Sequence, residues 1–362
     1  MKNKLKSGYQ AALPSLISIL VGLVIAVVIL IATNPANALD GFFRMIKGPF
    51  NYGAARGLGN MLFYATPILM TGLSVAFAFK TGLFNIGASG QFMIGSLVSV
   101  YIAIKWTFIP TSVLWLVALL LGALAGALWA AVVGILKAWR NVNEVITSIM
   151  MNYIAMYLVM HVIRFGGIYN QARNETMKVA SQIPTFGLDK IFVRSFIDGG
   201  ILIALICAVI IYVVLEKTTF GYELKAVGLN RDAAKYAGVN EKRAIVTSMI
   251  IAGALAGLGG GLTYLAGTSK SINVAAVIAS EGFDGIAVAL LGMSHPFGVV
   301  FSAFFISYLK LGGQAMQVIG YVPEIVEMMI GIILYVSALS LLFRRIITKF
   351  KERRLKKVGE ES

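Results

Sequence analysis

A succession of apolar runs, each about 20 residues long, constrains this chain more than any other feature. A helix of about 20 residues crosses the ~30 Å hydrocarbon core of a bilayer, and backbone polar groups inside lipid must be satisfied within their own segment, so such runs dictate transmembrane helices. Ten are predicted, over 13–33, 60–79, 83–104, 112–136, 142–163, 199–215, 244–266, 272–293, 297–311 and 325–343. Composition agrees: 58% of the 362 residues are hydrophobic and only 13% are charged. The expectation is an all-α, polytopic membrane protein forming one domain over 1–362 in the lipid bilayer.

In a soluble chain the net charge of +15 would read as a nucleic-acid footprint. Here placement matters more than the sum. With the N-terminus in the cytoplasm, the inside segments hold 20 Lys and Arg: Lys2, Lys4, Lys6, Lys80, Lys137, Arg140, six in 216–243 and eight in the basic tail 344–362. The outside segments hold 11, five of them in the longest external loop, 164–198. That excess predicts an N-in, C-in chain and removes the reason to invoke nucleic acid. The run after the N-terminal lysines exceeds the apolar core of a signal peptide and is read as the first span. Cys207 is the one cysteine, so no intrachain disulfide framework is possible.

Several spans carry polar groups that lipid would not tolerate. Span three opens GLFNIGASGQ from Gly82, where the small residues allow close helix packing and Asn85, Ser89 and Gln91 need partners or a cavity. In span five Glu144, Ser148 and Asn152 recur every fourth residue and share a helix face; Glu144 also admits a solvated or Arg140-paired reading. Span eight is expected to be interrupted by Glu281-Gly-Phe-Asp284-Gly285, and interrupted helices recur where transport sites are built near the midplane. Asn85, Ser89, Gln91, Glu144, Ser148, Asn152 and Asp284 are therefore the substrate-path candidates. The GLFNIG and GFDGIA segments of spans three and eight also suggest an inverted repeat. Gly122-x-x-x-Gly126 and Gly253-x-x-x-Gly257-x-x-x-Gly261 predict tight helix packing.

Between spans six and seven lies the long polar segment Glu216–Arg243. Asn230 is placed to cap a short helix from Arg231 to Ala237, Asp232 lies in its first turn, Gly238 supplies the left-handed stop and Asn240 can cap the next segment. A helix this short is marginal alone, which makes it a docking element or an ordinary connector. The chain carries no phosphate-binding GxxxxGK[ST] loop and no Cys/His cluster with metal spacing. With only His161 and His295, no catalytic set is expected. Intramembrane Asp and Glu are few, which weakens an ion-coupled secondary transporter, the competing class.

The series GLFNIGASGQFMIG from Gly82, NEVITSIMMNYIA from Asn143, KAVGLNRDAAKYAGVNEKRAIVTSMIIAGALAGLGGG from Lys225 and GFDGIAVALLG from Gly282 resemble the membrane permease subunits of bacterial ABC importers, over about 61–343. The Lys225 run looks like the sugar and branched-chain amino-acid branch, the other three like its nucleoside and simple-sugar subgroup. The resemblance implies a permease that binds no cofactor and is not an enzyme. It implies four partnerships as well: a cytoplasmic ABC ATPase carrying ATP and Mg, a second and often different permease subunit, an extracellular substrate-binding lipoprotein, and the cell membrane. Gly228, Asn230, Ala233, Ala234 and Gly238 match the family's coupling motif, with Asp232 inside it. The expected function is nucleoside import by alternating access, with a ribose-like sugar as the alternative solute.

Overall fold

The computed structural model describes residues 20–267 and 270–338. The N-terminal lysines, the start of span one, the end of span ten and the basic tail lie outside the described residues. The helices in chain order are α1 (Leu20–Thr33), α2 (Ala38–Lys47), α3 (Ala54–Lys80), α4 (Ala88–Lys105), α5 (Thr111–Arg140), α6 (Glu144–Phe165) and α7 (Leu188–Ile191). The chain continues with α8 (Gly200–Lys217), α9 (Thr219–Leu229), α10 (Arg231–Tyr236), α11 (Glu241–Tyr264), α12 (Glu281–Leu291), α13 (Pro296–Gln317) and α14 (Pro323–Ala338). Seven of them, α3, α4, α5, α6, α8, α11 and α13, are long and apolar enough to cross a membrane.

The chain divides into two compact units, 52–307 and the remainder, and the boundary falls within α13. In the larger unit α11 is the centre. Its glycine row packs on α5, where a Cβ on Gly257 would lie 2.6 Å from the Gly122 carbonyl oxygen and 3.0 Å from Gly126 Cα. The predicted small-residue motifs of spans four and seven are thus the two sides of one crossing. Gly95 of α4 reaches Gly257 at the same point, so three helices converge on bare backbone. Helix α3 is buried on all sides from Ala65 to Ala78. Pro67, inside α3, removes one amide from the helix ladder.

In the smaller unit α1 meets α14 where a Cβ on Gly22 would sit 3.0 Å from Ile333 Cα. Helix α2 is held against the end of α13 by Gly312 on Met45 and by Arg44 donating to the Ala315 carbonyl at 3.4 Å.

The structure corrects the reading of span eight. Residues 272–293 are not one interrupted helix: the chain is extended through 272–274, and Glu281 to Gly285, expected to be the interruption, instead starts α12. The cause is a distant partner. The loop between α6 and α7 forms a small hairpin of β1 (Tyr169–Asn170) and β2 (Glu175–Thr176), and Thr176 N–H donates to Ile272 O at 3.0 Å while Val274 N–H donates to Asn174 O at 2.9 Å. Ile272 and Val274 are buried there, so their backbone is satisfied by the hairpin and a helix is not needed. What remains, α12, rises only about 16 Å over its 11 residues, too little to span.

Candidate functional site

Two helices begin inside the larger unit and their starts meet. Helix α4 comes after the non-helical stretch 82–87 and α12 after the non-helical stretch 270–280. Gly282 abuts Ser89 so closely that no Cβ could be accommodated. Both starts lie against α3, with the Thr71 hydroxyl donating to the Glu281 carbonyl at 2.7 Å and the Gly285 backbone pressed on Thr71. The N–H groups of each first turn give a helix start a positive partial charge, so two such ends concentrate polarity here.

Polar side chains from the predicted set hold this arrangement together. Asn85 and Gln91 form a reciprocal amide pair, each donating to the other at 2.9 Å, and Asn85 also donates to Ser74 Oγ at 3.2 Å. Asn152 of α6 accepts from Gly90 N–H at 2.8 Å and donates to Ile86 O at 3.1 Å, clamping the first turn of α4 and the loop before it. Asn85, Gln91 and Asn152 are all buried, with their amides turned inward to protein. Ser148 Oγ faces the same corner, 3.2 Å from a Cβ placed on Gly87, and the hydroxyls of Ser89 and Ser148 are buried without a hydrogen bond among the described residues. Glu144 sits apart. It pairs with Lys137 of α5 at 2.9 Å, where the sequence suggested Arg140 or solvent. Asp284 is half-buried in the first turn of α12 and has interactions of its own. At the same helix start Glu281 is paired with Lys270 at 3.7 Å. Lys270 is the contact the sequence did not reveal, because it comes from the non-helical stretch before α12.

The polar segment folds with the caps expected at Asn230 and Asn240, and with a further helix, α9, capped by Thr218, that was not expected from the sequence. Thr218 Oγ1 accepts from Gly221 N–H at 3.1 Å and opens α9; Asn230 Oδ1 accepts from Ala233 N–H at 3.0 Å and opens α10; Asn240 Oδ1 accepts from Arg243 N–H at 3.0 Å and opens α11. Gly238 takes φ +87°, the left-handed stop. An Arg231–Glu241 ion pair ties α10 to α11. Asp232, Ala233 and Tyr236 point outward and Ala234 is buried. Gly228, near the end of α9, lies on the turn after α3: a Cβ there would be 3.0 Å from Gly82 N and would collide with the Lys80 carbonyl. Thr81 Oγ1 in that turn donates to Ser248 Oγ of α11 at 2.8 Å. The polar segment therefore touches the stretch that leads into α4. Beside it, Thr219, Phe220, Glu223, Gly238, Asn240 and Arg243 line a cleft of about 360 Å³.

Comparison with known proteins places this architecture. The family described as "Branched-chain amino acid transport system / permease component" matches residues 57–338. The chain belongs to this permease family. The guanosine ABC transporter permease protein NupP of Bacillus subtilis is 38% identical over 341 residues, 93% of this chain and 96% of that protein. The nucleoside ABC transporter permease protein NupB of Lactococcus lactis is 34% identical over 374 residues, covering all of both chains. A glucose ABC transporter permease protein, TsgB13 of Haloferax volcanii, is 31% identical over 341 residues, 91% of this chain and 87% of that one. No solved structure matches the chain. Family and apolar helices together make the permease a multi-pass protein of the cell membrane. Among the described residues no group of His, Cys, Asp and Glu could hold a metal ion.

Proposed function

We propose that this permease forms the nucleoside path of an ATP-driven importer. The observation that carries the reading is end-to-end similarity to two permeases named for guanosine and nucleosides, at 38% and 34% identity. A glucose permease is also similar, at 31% identity, below both nucleoside permeases, so a simple sugar is the less favoured solute.

In this reading the whole chain acts as one transmembrane domain with ten membrane-embedded helical segments, N-in and C-in. Its two short-start helices, α4 and α12, are the corresponding parts of an inverted repeat. Helix α10 with Gly228, Asn230, Asp232, Ala233, Ala234 and Gly238 is the coupling element that seats on a separate ATPase subunit, where ATP and Mg bind and hydrolysis occurs. A second, different permease chain and an external lipoprotein complete the importer. Asn85, Ser89, Gln91, Ser148, Asn152 and Asp284 shape the path around the two helix starts, with Glu144 at its inner end. Nucleotide binding on the partner shifts an alternating-access equilibrium, and the solute moves that equilibrium only through its different affinity for the two states.

The test is uptake of labelled guanosine, adenosine, uridine and ribose into proteoliposomes. Nucleoside uptake is expected only when the permease is reconstituted with its co-purified partners and internal ATP. Ribose uptake without nucleosides moves the reading to sugars, and ion-driven uptake by the chain alone overturns it.

A further inference from the structure

Helix α6 presents two opposite faces. Ser148, Asn152, Ala155, Val159 and Ile163 are buried against the rest of the chain. The outward face opens with the apolar Ile146 and Met150 and then carries Tyr153, Tyr157 and His161 at every fourth position, flanked by Ile154 and Leu158; Tyr153 is 48% and Tyr157 60% exposed, and the other five are exposed as well. Neither tyrosine hydroxyl makes a hydrogen bond among the described residues.

Depth makes these residues unusual. From Glu144, Tyr153 lies roughly 14 Å and Tyr157 roughly 20 Å along a helix about 33 Å long. Interfacial aromatic belts occupy the ends of spans, as Trp115 and Trp139 do near the ends of α5. Tyr153 sits near the middle, where a phenol facing lipid leaves its hydroxyl unsatisfied. The outward stripe of α5 shows what a lipid face of this protein looks like: Leu116, Leu120, Leu124, Leu128, Val132 and Ile135, all exposed and without a polar atom in their side chains.

We infer that the Tyr153–Tyr157–His161 face of α6 lines the aqueous translocation path and stacks the planar base of the solute, while Ser148 and Asn152 on the opposite face shape that path by holding the start of α4 in place. The chemistry matches a nucleoside on both counts. A phenol ring offers a π-face to any base, and its hydroxyl can exchange hydrogen bonds with base edges or ribose. The assignment rests on the nucleoside reading for its solute, but not for its claim of water access.

The experiment starts from the complete transporter with Cys207→Ser, which removes the chain's only cysteine. Tyr153→Cys and Tyr157→Cys are compared with Leu124→Cys and Leu128→Cys on α5, using a charged, membrane-impermeant methanethiosulfonate. Labelling at 153 and 157 but not at 124 and 128 is expected, slowed several-fold by saturating guanosine. Tyr157→Ala should raise the KM for guanosine by about 5- to 100-fold, with Tyr157→Phe near the parent. If 153 and 157 are as unreactive as the α5 pair, the face belongs to lipid or to the second permease subunit and the inference falls. It falls equally if they label but guanosine never protects, in a parent that takes guanosine up. A parent that moves no nucleoside overturns the nucleoside-import function, and the labelling pattern without solute still decides whether this face meets water.

Discussion

Asp198 is a carboxylic acid held in an environment that suits it poorly when ionised. It precedes α8, is only 4% exposed, and accepts from Gly200 N–H at 2.7 Å through one oxygen while the other has no hydrogen bond among the described residues. Burial pushes its carboxyl up from 3.8 to about 6, against the smaller opposing effect of the Gly200 amide. A carboxyl with a raised folded pKa binds its proton more tightly when folded, so stability is fully present below the unfolded value and drains as pH rises to about 6. At pH 8 the ionised form costs up to about 3 kcal/mol. Asp198→Asn keeps the acceptor for Gly200 and stays neutral, so the purified complex should melt higher at pH 8 and lose its decline between pH 4 and 6. Superimposable melting curves would refute this. Asn152 makes a second case, because Asn152→Leu strands Gly90 N–H and Ile86 O. About 1–3 kcal/mol should be lost per group, seen as a lower melting temperature with the ATPase partner still bound. The sequence revealed that Asn85, Gln91 and Asn152 were polar residues inside apolar spans. It did not reveal which way they faced, since direction depends on neighbours such as Ser74 and Ile86 that periodicity does not supply.

At the level of elements, the crossing of α5 and α11 depends on the absence of side chains. A single added carbon at Gly257 meets the Gly122 carbonyl oxygen at 2.6 Å, and backbone cannot rotate aside as a side chain can. Gly257→Ala should cost about 1–3 kcal/mol and Gly257→Leu should abolish assembly, read as loss of the monodisperse complex on size exclusion. A fully assembled Gly257→Leu complex would show that the crossing is looser than it looks. This interface was legible in advance because both glycine rows repeat every fourth residue, and the caps at Asn230 and Asn240 were legible because capping is local. The start of α12 was not. Its position is set by Thr176 and Asn174 pairing with Ile272 and Val274, about a hundred residues away, and an apolar run of the right length reads as a span whichever partner it takes.

For the whole molecule, the question is whether work done at α10 reaches the two helix starts. The contacts form a continuous route: α10 is fixed to α11 by Arg231 and Glu241, Gly228 at the end of α9 rests on the Lys80–Gly82 turn, and that turn leads through Asn85 into α4. A physical route is not yet a coupling, which requires that displacing one end change the equilibrium at the other. Ala234 is a poor probe despite its place in the motif, because it is buried and its substitution disturbs the fold of the segment itself. Ala233 is exposed and Tyr236 is 94% exposed, so both can be changed without touching the permease's own packing. Ala233→Arg and Tyr236→Asp should each lower ATP-driven nucleoside uptake at least ~10-fold, since a charge or lost ring in a desolvated contact typically costs more than about 1.4 kcal/mol. Melting temperature should change little, because surface substitutions away from packing usually stay within about 0.5 kcal/mol. Gly228→Val separates docking from transmission: the ATPase should still bind and hydrolyse ATP while uptake is lost, because the added carbons push α9 off the Lys80–Gly82 turn. If Ala233→Arg and Tyr236→Asp leave uptake intact, α10 is a connector and force must enter elsewhere. If Gly228→Val alone leaves it intact, α10 docks but the turn before α4 does not carry the motion.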